Sequence, residues 1–112
     1  MKLVFSPAAV QDLQSIADYT SRTWGAEQET LYLKGLWAKL DLMLDRPENH
    51  RPRHDLAIDC YSERSGKHVV FFSILGETLQ VIRILHGAMD FAVHIFENLE
   101  TNEEIGKSFN DL

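Results

Sequence analysis

The stretch from Lys67 to Asp90, KHVVFFSILGETLQVIRILHGAMD, constrains the fold more than any other part of the chain. Its halves, His68–Leu75 and Thr78–His86, are runs of β-branched, aromatic and aliphatic residues with only Gly76 and Glu77 between them. Such runs favour strands, and a Gly-X pair joining them predicts a type II′ hairpin, because glycine reaches positive φ without a Cβ clash. A two-residue loop also sets the register. Leu75 is then expected opposite Thr78, Ile74 opposite Leu79, Phe72 opposite Val81 and Val70 opposite Arg83.

Both faces of this hairpin are apolar. Val70, Phe72, Ile74, Leu79, Val81 and Leu85 fall on one side, and Val69, Phe71, Leu75, Ile82 and Ile84 on the other. A sheet wetted on one face would alternate apolar with polar residues. The hairpin is therefore expected at the centre of the sheet, with one face under the rest of the domain and the other available to a partner. One charge, Arg83, interrupts the apolar row, and a guanidinium in a central strand must find an acceptor, either an acid such as Asp90 or a carboxylate on a partner.

What precedes the hairpin reads as the layer that covers it. Lys2 to Phe5 is a short strand candidate, and Ser6-Pro7 has the form of an N-cap followed by proline in the first helical turn. Val10, Leu13, Ile16, Ala17, Thr20 and Trp24 recur at helical spacing, with Gln11, Asp12, Gln14 and Asp18 assigned to water. Gly25 ends this helix, and a second begins near Ala26 with Glu27 and Glu29 in its first turn, where the helix dipole favours acids. Leu33, Leu36, Trp37, Leu40, Met43 and Leu44 form its apolar stripe, and Arg46-Pro47 stops it. So short a connection makes an antiparallel helical hairpin, whose joint stripe with two tryptophans needs a sheet to bury it. The expected class is α+β, a two-helix antiparallel hairpin on a small, mainly antiparallel sheet.

Residues 47–66 carry the least pattern: a loop rich in His50, Arg51, Arg53 and His54, then a strand candidate from Ile58 to Glu63 and a turn at Ser65-Gly66. Phe91 to Phe96 is a short closing helix or strand. From Asn98 the chain is polar, acidic and aperiodic, so residues 1–97 are read as one domain and 98–112 as a flexible tail.

Charge and composition narrow the function classes. The formal net charge is −6. The segment from Glu97 onward holds five acids against Lys107, which leaves the body near neutral and argues against unspecific nucleic-acid binding through a broad basic surface. No run reaches membrane-spanning length and no signal peptide opens the chain, so a cytoplasmic protein is expected. Cys60 is the only cysteine and has no disulfide or metal-binding mate; paired with His68 or His86 it would make a nucleophile and base, but a small buried apolar cysteine is the simpler reading. The histidines lack ligand spacing, and neither a metal nor a cofactor is expected. Arg46, His50, Arg51, Arg53 and His54 crowd together with only Glu48 and Asp55 to offset them. They form either a solvated loop or a site for an acidic protein segment or a phosphate backbone.

Several of these pieces, in this order, resemble the ParE branch of the RelE/ParE toxin superfamily. They are Phe5-Ser6-Pro7-Ala8-Ala9 with Asp12-Leu13, Ile16 and Tyr19; Trp24-Gly25; Pro47; Arg51-Pro52-Arg53; Gly66-Lys67-His68-Val69-Val70-Phe71-Phe72; and Val81-Ile82-Arg83-Ile84-Leu85-His86-Gly87-Ala88-Met89-Asp90. The resemblance implies the toxin of a type II toxin–antitoxin pair, which binds DNA gyrase, traps its cleaved-DNA complex and is neutralised by a ParD-like antitoxin. Arg51, Arg53, Arg83 and His86 are the candidate contacts to target or antitoxin, with no catalytic residue. The alternative is a RelE-like mRNA endonuclease acting in the ribosome. Relatives that cut RNA place an arginine after the last strand and a tyrosine or histidine beyond it. Here Gly87-Ala88-Met89 and Val93 stand at those places, which leaves His94 as the base and Arg51, Arg53 and Arg83 as the cations.

Overall fold

A computed structural model describes residues 2–45, 51–53, 60–88 and 91. The expected closing element beyond Phe91, the tail from Asn98, His50, His54 and His94 lie outside the described residues.

Strand β1 (Lys2–Phe5) leads into helices α1 (Pro7–Trp24) and α2 (Ala26–Asp45), followed by β2 (Arg51–Arg53), β3 (Cys60–Ser65), β4 (His68–Leu75) and β5 (Thr78–His86). The five strands form one sheet in the order β1-β5-β4-β3-β2. Its pairings are antiparallel except at one end, where β1 lies parallel to β5. The helical hairpin supplies the crossover that a parallel pair requires. The α+β architecture is as expected, with β2 as an additional edge strand. Its three residues include Pro52, which an edge strand tolerates, and they lack the alternation that would mark a strand in sequence.

Local chemistry closes each helix. Ser6 Oγ accepts a hydrogen bond from the Ala9 N–H (3.0 Å) and donates one to the Ile82 carbonyl (2.7 Å), so one hydroxyl caps α1 and ties it to β5. Gly25, at φ +94°, donates to Ser21 and accepts from the Glu29 N–H, ending one helix and starting the next. A residue with a Cβ would be strained there.

Ala9 and Ile16 of α1 and Leu36, Leu40 and Met43 of α2 pack on Val70, Phe72, Leu79, Val81 and Ile84. Burying side chains of this size is worth roughly 1.5–3 kcal/mol each, which makes this layer the main source of stability. The tryptophans contribute less than their sequence positions suggested. Trp24 is 66% exposed and Trp37 44%, the latter edge-on to Phe5 at 5.5 Å. Each four-residue step along a helix overshoots a full turn by about 40°, so the row Ile16, Thr20, Trp24 drifts off the buried face by its last member.

The hairpin register agrees with the expectation from Leu75 opposite Thr78 as far as Phe72 opposite Val81, and Gly76 has φ +58°. There it breaks. Phe71 pairs with Arg83, so Ile82 is one residue extra on β5, a β-bulge, and Val70 faces Ile84 instead of Arg83. Beyond a one-residue insertion every side chain changes face. Ile84 consequently joins the helix-facing core and Leu85 the outer cluster, the reverse of uninterrupted alternation. The β3–β4 turn is Gly66-Lys67, one residue later than expected.

Candidate functional site

The bulge decides the surroundings of Arg83, which is 6% exposed. Strand β1 stops at Phe5, opposite Val81, and leaves the last part of the β5 edge without a neighbouring strand. The start of α1 fills the gap. Ser6 takes the Ile82 carbonyl, and the Asp12 carboxylate accepts the Ile84 N–H at 2.9 Å. The same carboxylate takes Arg83 in a two-point grip, Nε to Oδ2 at 2.8 Å and Nη2 to Oδ1 at 3.0 Å. Asp12 therefore turns inward, against its assignment to water, and supplies the acceptor that Arg83 required. The signal was present: Asp12 lies one turn before buried Ile16 on the same helix face.

On the face away from the helices, Cys60, Val69, Phe71 and Leu85 form a second buried cluster, with Ile82 and Phe91 against it. The Phe91 ring meets Phe71 edge-on at 4.8 Å, and the Arg53 guanidinium lies over both rings, 5.5 and 5.4 Å from their centroids. This is cation–π geometry, and it places the arginine stem over apolar surface that a partner was expected to cover. Of Arg51, only the backbone is described, opposite Ser62 in β3. Cys60 stands at the other end of β3 from Ser65, which pairs with His68. At about 3.3 Å per residue the two are roughly 16 Å apart along the strand, which rules out a nucleophile–base pair.

His86 is exposed at the end of β5, directly opposite His68, with ring centroids 5.4 Å apart. His68 is half-buried and touches the Tyr32 hydroxyl. Burial and the neighbouring His86 hold its pKa below the usual imidazole value, with Asp12 acting in the opposite sense. The candidates thus occupy three places: Arg53 on the outer face beside the backbone of Arg51, Arg83 in the contact between the sheet and α1, and His86 at the strand end. Sequence reasoning did not single out Asp12, which holds Arg83, Phe91, which lies under Arg53, or Tyr32, which holds His68 beside His86.

Residues 3–91 match the family described as the ParE toxin of the type II toxin–antitoxin system parDE. The chain belongs to the ParE toxin family. Toxin ParE1 of Caulobacter vibrioides is 32% identical over 90 residues, which are 80% of this chain and 93% of that one. Toxin ParE1 of Mycobacterium tuberculosis strain CDC 1551 is also 32% identical over 90 residues, covering 80% and 92%. The solved chromosomal ParDE TA system from P. aeruginosa superposes with a TM-score of 0.66 at 18% identity, over 77% of this chain and 95% of that one, a likeness of fold. This ParE-family chain is accordingly the toxin component of a type II toxin–antitoxin system. The matched span takes in both helices, the sheet from Leu3 onward and Phe91.

Proposed function

We propose that this toxin acts in the cytoplasm by binding DNA gyrase and arresting its cleaved-DNA complex, without chemistry of its own, and that a ParD-like antitoxin neutralises it. The observation that carries this reading is membership of the ParE toxin family over residues 3–91. The state of Arg83 weighs in the same direction. A nuclease would need that cation for the crowded phosphate of its transition state, whereas here the guanidinium is buried against Asp12. Arg51, Arg53 and His86 are the proposed contacts; Arg83 acts through the shape of the β5 edge.

For the antitoxin, the outward face of α2 offers a surface. Leu31 and Leu42 are 58% and 60% exposed, and between them lie Gly35 and Ala38, small enough for a second backbone to come close. The spacing of Leu31, Gly35, Ala38 and Leu42 follows one helix seam, suited to an amphipathic antitoxin segment.

The test is a paired assay with purified, antitoxin-free protein. Loss of gyrase supercoiling with accumulation of cleaved DNA, and intact mRNA in programmed ribosomes, is the expected pattern. Codon-positioned cuts in mRNA with gyrase untouched would overturn it and make His94 the next residue to change.

A further inference from the structure

At the end of the sheet where the β3–β4 turn meets the end of β5, Tyr32, Arg64, His68, His86 and the backbone of Lys67 come together. Tyr32 reaches over from α2. Its hydroxyl accepts the Lys67 N–H at 3.1 Å and hydrogen-bonds Nδ1 of His68, and its ring stands edge-on to that imidazole. Gly66, at φ +57°, makes this approach possible, since a Cβ there would lie 2.9 Å from the Tyr32 oxygen. The Gly87 N–H donates to the Lys67 carbonyl at 2.8 Å, which fastens the turn to the end of β5. The Arg64 guanidinium lies against Gly87, so near that a Cβ on that glycine would be 2.8 Å from Nη2.

The charge here is one-sided. Arg64, Lys67 and His86 are exposed, and no ion pair joins them to an acid among the described residues. Arg64 makes only a long bond to the Gly66 carbonyl at 3.4 Å. The acid that acts on His68 is Asp12, already held by Arg83. Cations gathered without acids repel one another unless an anion joins them.

The hydrogen bonds indicate which kind of ligand fits. His86 Nδ1 accepts the Ala88 N–H at 3.1 Å, so in the neutral ring the proton resides on Nε2. Nδ1 of His68 is occupied by the Tyr32 hydroxyl, which also lies 3.4 Å from the Ser65 carbonyl, so Nε2 is the nitrogen of that ring left for a ligand. The group therefore offers the His86 Nε2–H and the Arg64 guanidinium, with the exposed Lys67 on the adjoining turn. A metal ion would want bare imidazole lone pairs and carboxylate company, and would be repelled by Arg64 and Lys67. A carboxylate presents two coplanar oxygens, whereas a phosphate group presents its oxygens tetrahedrally, two in a diester and three or four when free, which suits donors arriving from β3, β4 and β5.

We infer that Arg64, Lys67, His68 and His86, with His68 and the Lys67 backbone held by Tyr32, form a binding site for a phosphate group at this end of the sheet, separate from Arg53 on the outer face. The site stands on its own geometry and does not require gyrase to be the target. Its ligand is either a lone phosphate or the phosphodiester of a nucleic-acid strand.

The test is an NMR titration of the full chain that follows the imidazole signals of His68 and His86. Inorganic phosphate is compared with sodium chloride at equal ionic strength, and then with a short single-stranded oligonucleotide and a glutamate-rich peptide. Phosphate is expected to move the signals of both histidines saturably, with chloride leaving them in place. Arg64→Gln should weaken phosphate binding at least about tenfold, because one charge-assisted contact is lost. An unchanged amide spectrum verifies the fold, and Lys67→Gln gives a second, independent loss. Tighter binding of the oligonucleotide assigns the site to a nucleic-acid strand, and equal or weaker binding to a lone phosphate. Equal shifts with chloride, undiminished binding in both variants, or tighter binding of the peptide than of either phosphate ligand would overturn the inference.

Discussion

Asp12 holds Arg83 and the Ile84 N–H with a single carboxylate, across 71 residues of sequence, and so completes the β5 edge where β1 ends. The two side chains are only 13% and 7% exposed. Removing one partner of a buried pair leaves the other uncompensated, at a cost of about 3–5 kcal/mol. Asp12→Ala is expected to lose stability in that range. A double variant, Asp12→Leu with Arg83→Met, should recover part of the loss, because it leaves no buried charge and only the Ile84 N–H without its acceptor. Urea denaturation of the parent, Asp12→Ala and the double variant measures both effects. An Asp12→Ala midpoint equal to that of the parent would mean that the pair carries no structural weight.

Phe72 is fully buried, with Val81 opposite and Tyr61 stacked on its ring at 5.6 Å. Phe72→Ala should cost about 3–5 kcal/mol, as truncation of a large core aromatic does. Chemical denaturation gives the number directly. A loss below about 1 kcal/mol would show that the core closes around the cavity.

Acid should weaken the fold through His68. Its pKa in the folded protein lies below the unfolded value, so the unfolded chain binds the proton more readily over the intervening pH range. Stability is fully present above the usual imidazole pKa of about 6.5 and is lost as pH falls through the lowered one. Thermal unfolding of the parent from neutral to mildly acid pH should show this decline, and His68→Gln should remove His68's share of it. An identical pH slope in the variant would exclude His68 as a source.

Leu31 and Leu42 project from α2 into solvent, so charge there should leave the fold alone. Leu31→Glu and Leu42→Glu are expected to change stability by no more than about 0.5 kcal/mol. Each should weaken capture by the antitoxin at least about tenfold, since one apolar anchor is worth 1.4 kcal/mol or more. Calorimetry with the cognate antitoxin reads the affinity; full affinity in both variants would move the antitoxin to another face.

The elements themselves were legible in the sequence because each is set by short-range chemistry. Ser6-Pro7 starts a helix, Gly25 separates two, Gly76 turns a hairpin, and the apolar runs on either side of Gly76 have no use except at the centre of a sheet. The ordered motifs from Phe5 to Asp90 were enough to suggest the family. Arg51-Pro52-Arg53 escaped as a strand because three residues with a proline carry no period; they pair only because β3 offers them an edge. Ile82 is the sharper case. Nothing local marks it as a bulge, yet that one extra residue moves Ile84 and Leu85 to opposite faces from those that alternation assigns. Asp12 turned inward for a reason that no helix pattern contains: the edge of β5, seventy residues downstream, needed an acceptor for Arg83 and Ile84. Periodicity reports which face of an element is apolar. Which polar side chain must leave the water is decided by the unsatisfied groups on the element it packs against, and those exist only once the chain has folded.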